Sequence, residues 1–119
     1  MANTGLHGHH LLTEKEIDKV VRGTGPGAYA LGHEANGTFY VDYVGRSDSD
    51  LNGRLKQWAS SKYMYFKYDF FDTAKAAFEK ECRMFHDFGG TATLDNKVHP
   101  ARPEGASYGC PVSGCGDLR

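Results

Sequence analysis

The feature that most narrows the fold is Asn36-Gly37, set between two extended runs that each carry a tyrosine. Both residues accept positive φ, and together they form a strong hairpin signal. The first run spans Gly27 to Leu31 and the second Phe39 to Val44, with Gly32-His33-Glu34-Ala35-Asn36-Gly37 as the connection. Side chains alternate along a strand, so Tyr29 and Leu31 share one face. By the same period Phe39, Val41 and Tyr43 share a face on the second run. Neighbouring antiparallel strands can then present Tyr29 and Tyr43 to one site. Gly45 ends the second run, and Arg46-Ser47-Asp48-Ser49-Asp50 leads into a helix.

The flanking segments read as helices and one more strand. Thr13 and Glu16 form a capping box, Leu12 and Ile17 a hydrophobic staple, and Gly23 with Gly25-Pro26 ends that helix. Leu51, Leu55 and Trp58 recur at helical spacing, which places Arg54 at the edge of an inward stripe. From Lys62 to Phe71 the period is two. Met64, Phe66, Tyr68 and Phe70 point one way, and Tyr65, Lys67 and Asp69 the other, giving a third strand. Asp72 then caps a long helix running to about Asp87, stopped by Gly89-Gly90.

On that last helix Ala74, Ala77, Phe78, Glu81, Cys82 and Phe85 fall on one face, while Glu79 lies with Lys75 and Arg83. A carboxylate inside an apolar stripe is costly unless paired, hydrogen-bonded or bound to a metal. That selects Glu81 over Glu79 as a candidate metal ligand. The competing reading is an inward salt bridge, with Arg54 as the candidate partner.

In this order the motifs resemble those of the GIY-YIG nuclease domain family, over about Gly25 to Pro100. The first motif reads Gly27-Ala28-Tyr29, with alanine in place of the usual isoleucine, and the second reads Tyr43-Val44-Gly45. The family's arginine matches Arg54 in Asn52-Gly53-Arg54-Leu55, one residue further from Tyr43 than usual. Its glutamate matches Glu81 and its asparagine Asn96. Trp58 stands where some members carry a histidine. The resemblance implies a metal-dependent endonuclease that hydrolyses DNA phosphodiesters. Tyr29 would be the base, Tyr43 would position water or phosphate, and Arg54 would clamp the phosphate. Glu81 would hold one Mg²⁺ or Mn²⁺, a single carboxylate with waters suiting such an ion. Arg46, Lys56 and Asn96 complete the expected substrate-binding set. A tyrosine of pKa near ~10 is a poor base at neutral pH, so a nearby cation must lower it. Arg54, Arg46 and Lys56 are the candidates for that field.

The expected partner is DNA, including branched or otherwise structured DNA, with a homodimer or a partner protein as sources of targeting. The formal net charge of −1 counts against a broad phosphate-tracking surface and favours weak or transient binding. Two other function classes fit the chain. One is a noncatalytic module on the same scaffold that binds nucleic acid or protein. The other is a zinc-binding interaction protein built on Cys110 and Cys115, which would need two more ligands, His99 being the obvious one. Without zinc these are free thiols in a tail, and Cys82 is a buried helix residue.

The expected organisation is a single domain over residues 1–119, with its core at about 25–100. Residues 1–10, including His7, His9 and His10, read as a mobile segment, and the Cys/Pro/Gly-rich end as loop-like. The fold class is α/β, a small, mainly antiparallel three-stranded sheet flanked by helices. No apolar run reaches membrane-spanning length, and the start lacks a basic segment followed by an apolar one. Cytoplasmic residence with no membrane partner is therefore expected.

Overall fold

The computed structural model describes residues 4–112 and 115. Among these, the elements run β1 (His7–Leu11), α1 (Glu14–Val20), β2 (Gly27–Ala35), β3 (Thr38–Ser47), α2 (Leu51–Trp58), β4 (Tyr65–Phe70) and α3 (Ala74–Asp87), then a 3₁₀ turn at Gly90–Ala92. The fold is α/β, with a four-stranded antiparallel sheet in the order β1-β4-β2-β3 and three α-helices. No helix among the described residues is long and apolar enough to cross a membrane.

The fourth strand corrects the expected three. Residues 7–11 pair with β4 across His7↔Tyr68 and Leu11↔Tyr65. Backbone pairing holds this strand, not an apolar stripe, so side-chain alternation gave no sign of it. Its histidines do not converge. His7 faces Asp69, His9 contacts Glu34 at 2.7 Å, and His10 faces Glu16.

The hairpin is longer than its motif. Asn36 and Gly37 take φ of 53° and 80°, a two-residue turn that keeps both strands paired to its edge. Gly32 to Ala35 are therefore strand, not loop. The ladder also shifts between Leu31 and Gly32: Leu31 pairs with Tyr43 and Gly32 with Val41, which leaves Asp42 as a bulge. The bulge breaks the expected alternation. Phe39 and Val41 pack with Ala28, Ala30 and Val44 against α3, whereas Tyr43 packs on the opposite face with Tyr29 and Leu31.

The helices cover both faces. Ile17 of α1 and Leu51 and Leu55 of α2 form one core with Tyr29, Leu31 and Phe66. Met84 and Phe85 of α3 close the other. Thr13 caps α1 and Asp50 caps α2, by accepting from the amides of Glu16 and Gly53. Thr73, not Asp72, caps α3, its hydroxyl accepting from the Ala76 amide at 3.0 Å. On β4, Phe66 is fully buried and Tyr68 and Phe70 are half-buried, but Met64 lies before the strand and is exposed.

Strand β3 is an edge, and the segment after α3 blunts it. The Asn96 side chain accepts from the Val44 amide at 3.0 Å and donates to the Val44 carbonyl at 2.9 Å. The Asp95 amide donates to the Asp42 carbonyl at 2.7 Å. Together they cap exposed backbone that would otherwise invite another strand.

Candidate active site at the edge of β3

A cleft of about 190 Å³ opens along the β3 edge, lined by Tyr29, Tyr43, Gly45, Arg46, Asp48, Arg54, Glu81 and Ala101. A water occupies about 30 Å³ of liquid, so the space suits a phosphate group with a few waters or an ion. Because β3 is the outermost strand, groups from both faces of the sheet meet here. Tyr29 and Tyr43 come from the α2 side, Arg46 and Glu81 from the α3 side.

Two glycines make this approach possible. A Cβ at Gly45 would collide with the ring and hydroxyl of Tyr29, so only glycine lets Tyr29 reach across the edge strand. A Cβ at Gly27 would strike the Leu51 side chain and the Asp69 carbonyl, so glycine there seats α2 on the sheet. Each motif thus has a packing reason for its glycine.

Tyr29 is buried, and its hydroxyl oxygen accepts from Trp58 Nε1 at 2.8 Å. Burial pushes its pKa well above the usual tyrosine value, and the Trp58 hydrogen bond and the Arg54 charge only partly oppose this. Tyr43 is half-buried beneath Trp58, ring centres 4.7 Å apart, and its pKa is also raised, by burial first and then by Glu81, with Arg54 opposing. The lowering expected of neighbouring cations is therefore outweighed. The Trp58 indole N–H can only donate, so it orients the Tyr29 oxygen and cannot accept a proton from it.

Glu81 is 7% exposed on the apolar face of α3, as its spacing predicts, and Glu79 instead pairs with Lys75 at 3.2 Å on the polar side. The inward salt bridge forms, but with Arg46: Nη1 donates to Glu81 Oε1 at 2.7 Å. Arg46 also donates from Nε to Asp48 at 2.7 Å and lies over the Phe78 ring. Burial nevertheless wins over Arg46 and pushes the Glu81 pKa up to about 7. Glu81 lines the cleft as a buried carboxylate with one oxygen held by Arg46, and it is the cleft's candidate oxygen ligand for an ion.

The remaining expected residues divide. Arg54 is exposed, lines the cleft, and makes no ion pair within 4 Å among the described residues. Arg46 lines it too, but its guanidinium is committed to Glu81 and Asp48. Lys56 points away, paired with Asp18 at 2.6 Å. Asn96 does not line the cleft, since both ends of its amide are used on Val44. Asp48 and Ala101 are the cleft members that residue pattern did not select. Asp48 lies between the end of β3 and the start of α2, where neither strand nor helix periodicity runs.

No protein-family model matches the chain, and neither a curated protein nor a solved structure matches it.

Proposed function

We propose that this protein is a metal-dependent endonuclease of the GIY-YIG type that hydrolyses DNA phosphodiesters. The observation that carries this reading is the convergence, in one cleft, of Tyr29, Tyr43, Arg54 and Glu81 from four different elements.

In this reading Arg54 neutralises the phosphate with a two-pronged guanidinium. Tyr29 and Tyr43 face the water that attacks phosphorus, with Tyr29 fixed by Trp58 and closed in by Gly45. Arg46 holds the Glu81 carboxylate in place against Asp48. A divalent ion on Glu81 would supply Lewis-acid stabilisation of the phosphoryl and leaving oxygens. Beside the cleft, and sharing Tyr43 with it, runs a groove of about 460 Å³ lined by Trp58, Tyr63, Lys62, Asp95, Lys97 and Val98. Aromatic rings interleaved with lysines suit a nucleic-acid strand leaving the cleft.

The test is incubation of plasmid, linear and branched DNA with Mg²⁺, Mn²⁺ or chelator. Cleavage with either ion and none with chelator is expected. DNA binding without cleavage of any substrate would instead favour the noncatalytic module. Arg54→Lys keeps the charge but loses the paired donors. We expect it to lower single-turnover cleavage by roughly ten-fold or more, at about 1.4 kcal/mol per decade, with DNA affinity changed much less.

A further inference from the structure

One turn beyond Glu81, α3 reaches a second cluster of chemistry-bearing groups. His86 sits on the last turn of α3, His99 follows Asn96, and Cys110 and Cys115 return from the C-terminal segment. One nitrogen or sulfur from each lies within 4.8 Å of all the others. His86 Nε2 and His99 Nε2 are 3.3 Å apart, Cys110 Sγ is 3.6 Å from His86 Nε2, and Cys115 Sγ is 3.5 Å from His99 Nε2. We propose that His86, His99, Cys110 and Cys115 hold a structural zinc ion.

The spacing carries the proposal. Zinc bonds of ~2.0–2.1 Å to nitrogen and ~2.3 Å to sulfur, at tetrahedral angles, give edges of about 3.3–3.4 Å between two nitrogens and about 3.5–3.6 Å between nitrogen and sulfur. The three distances above match those edges. The donors match as well. Two thiolates and two imidazoles select zinc over magnesium or calcium, which take oxygen. Four protein ligands close the tetrahedron and leave no open position, the pattern of a structural site.

His99 is also pre-set for a metal. Its Nδ1 lies 2.8 Å from the Pro100 carbonyl, and a carbonyl can only accept, so Nδ1 carries the proton. In the neutral ring this leaves the lone pair on Nε2, the atom that faces the cluster, in the support pattern common to ligating histidines.

The tail needs such an anchor. None of residues 101–112 is buried, and Tyr108 rests on α3 against Phe78, ring centres 5.8 Å apart, with Lys75 over its ring. An ion here would fasten the segment carrying Ala101, a wall of the cleft, onto the helix that carries Glu81. The site stands on its own distances and does not depend on the nuclease reading.

The experiment is elemental analysis of the full chain, produced in zinc-supplemented medium and purified under reductant. One zinc per chain is expected after gel filtration. Cys110→Ser combined with Cys115→Ser should lose the ion, while Cys82→Ser should keep it. Cobalt added to the metal-free wild-type chain should give a thiolate-to-cobalt charge-transfer band and the intense visible bands of tetrahedral cobalt. A wild-type chain that retains no zinc and shows no such bands overturns the proposal, as does full zinc retention in the double serine variant. If the double variant does not fold, the wild-type stoichiometry and cobalt spectrum decide alone.

Discussion

Glu81→Gln is expected to abolish metal-dependent cleavage while the protein remains folded. Glutamine keeps the shape and an acceptor oxygen for Arg46 Nη1, so the 2.7 Å contact has a successor. What it removes is the only charge on the apolar face of α3. Glu79→Gln, on the polar side with Lys75, should be nearly silent. The two also differ in how stability responds to pH. Burial raises the Glu81 pKa from 4.5 to about 7 in the folded chain. A group raised in this way contributes fully below the unfolded value and loses that contribution as pH rises through the folded one. Without metal, wild type should therefore lose up to about 3 kcal/mol between pH ~4.5 and ~7, at roughly 1.4 kcal/mol per unit. The Gln variant should lack that component. Mg²⁺ should stabilise wild type most above pH ~7, where no proton competes for the carboxylate. Denaturant titrations across pH, with and without Mg²⁺, measure all of this. A Gln variant that still cleaves would remove Glu81 from the chemistry.

Tyr29→Phe carries the other large effect, an expected loss of ~10²–10⁴ in single-turnover rate, the usual scale for removing general acid–base help. Burial holds the Tyr29 hydroxyl well above the usual tyrosine value, so the loss is read as rate at a fixed pH and not from a limb near neutrality. Tyr43→Phe should slow cleavage less, because it removes a positioning hydroxyl. Both rings are preserved, so stability should fall little in either case. Tyr29→Phe also strips the acceptor from Trp58 Nε1, at a cost of about 1 kcal/mol. A Glu81 limb should move to lower pH as Mg²⁺ rises. A Tyr29→Phe variant that cleaves at the wild-type rate would exclude Tyr29 as base and pass the role to Tyr43 or to a group outside the pair.

Where local periodicity or turn chemistry decides a position, the sequence was readable. Asn36-Gly37 announced the hairpin, and 3.6-residue spacing put Glu81, not Glu79, inside. Where backbone pairing or contacts distant in sequence decide, it was not. Nothing in residues 7–11 marks a strand that β4 supplies with hydrogen bonds. The Asp42 bulge moves Phe39 and Val41 to the face opposite Tyr43, a change of phase that strict alternation cannot register. The Arg46–Glu81 pair, 35 positions apart, and the turn of Asn96 toward Val44, 52 positions away, come from the tertiary fold. Charge alone suggested Lys56 for the substrate, and Asp18 on the neighbouring helix occupies it. His99, Cys110 and Cys115 could be noticed as metal-ligand types. His86 could not, because inside a helix it reads as one more polar residue of the last turn.

The bulge also bears on how this hairpin tolerates insertion and deletion. Val41 and Tyr43 already stand opposite Gly32 and Leu31, two consecutive residues of the partner strand. Excising Asp42 would make them consecutive as well and leave each on its present face, so a one-codon deletion here need not turn the strand inside out. What it would take away is the Asp42 carboxylate that meets His33 Nδ1 at 2.7 Å and the Asp42 carbonyl that receives the Asp95 amide, one of the fastenings of the loop that delivers Asn96. The extra residue thus acts as a hook for a distant segment more than as a spacer for the tyrosines. Length variation at this point would be read out first in the anchorage of the β3 edge.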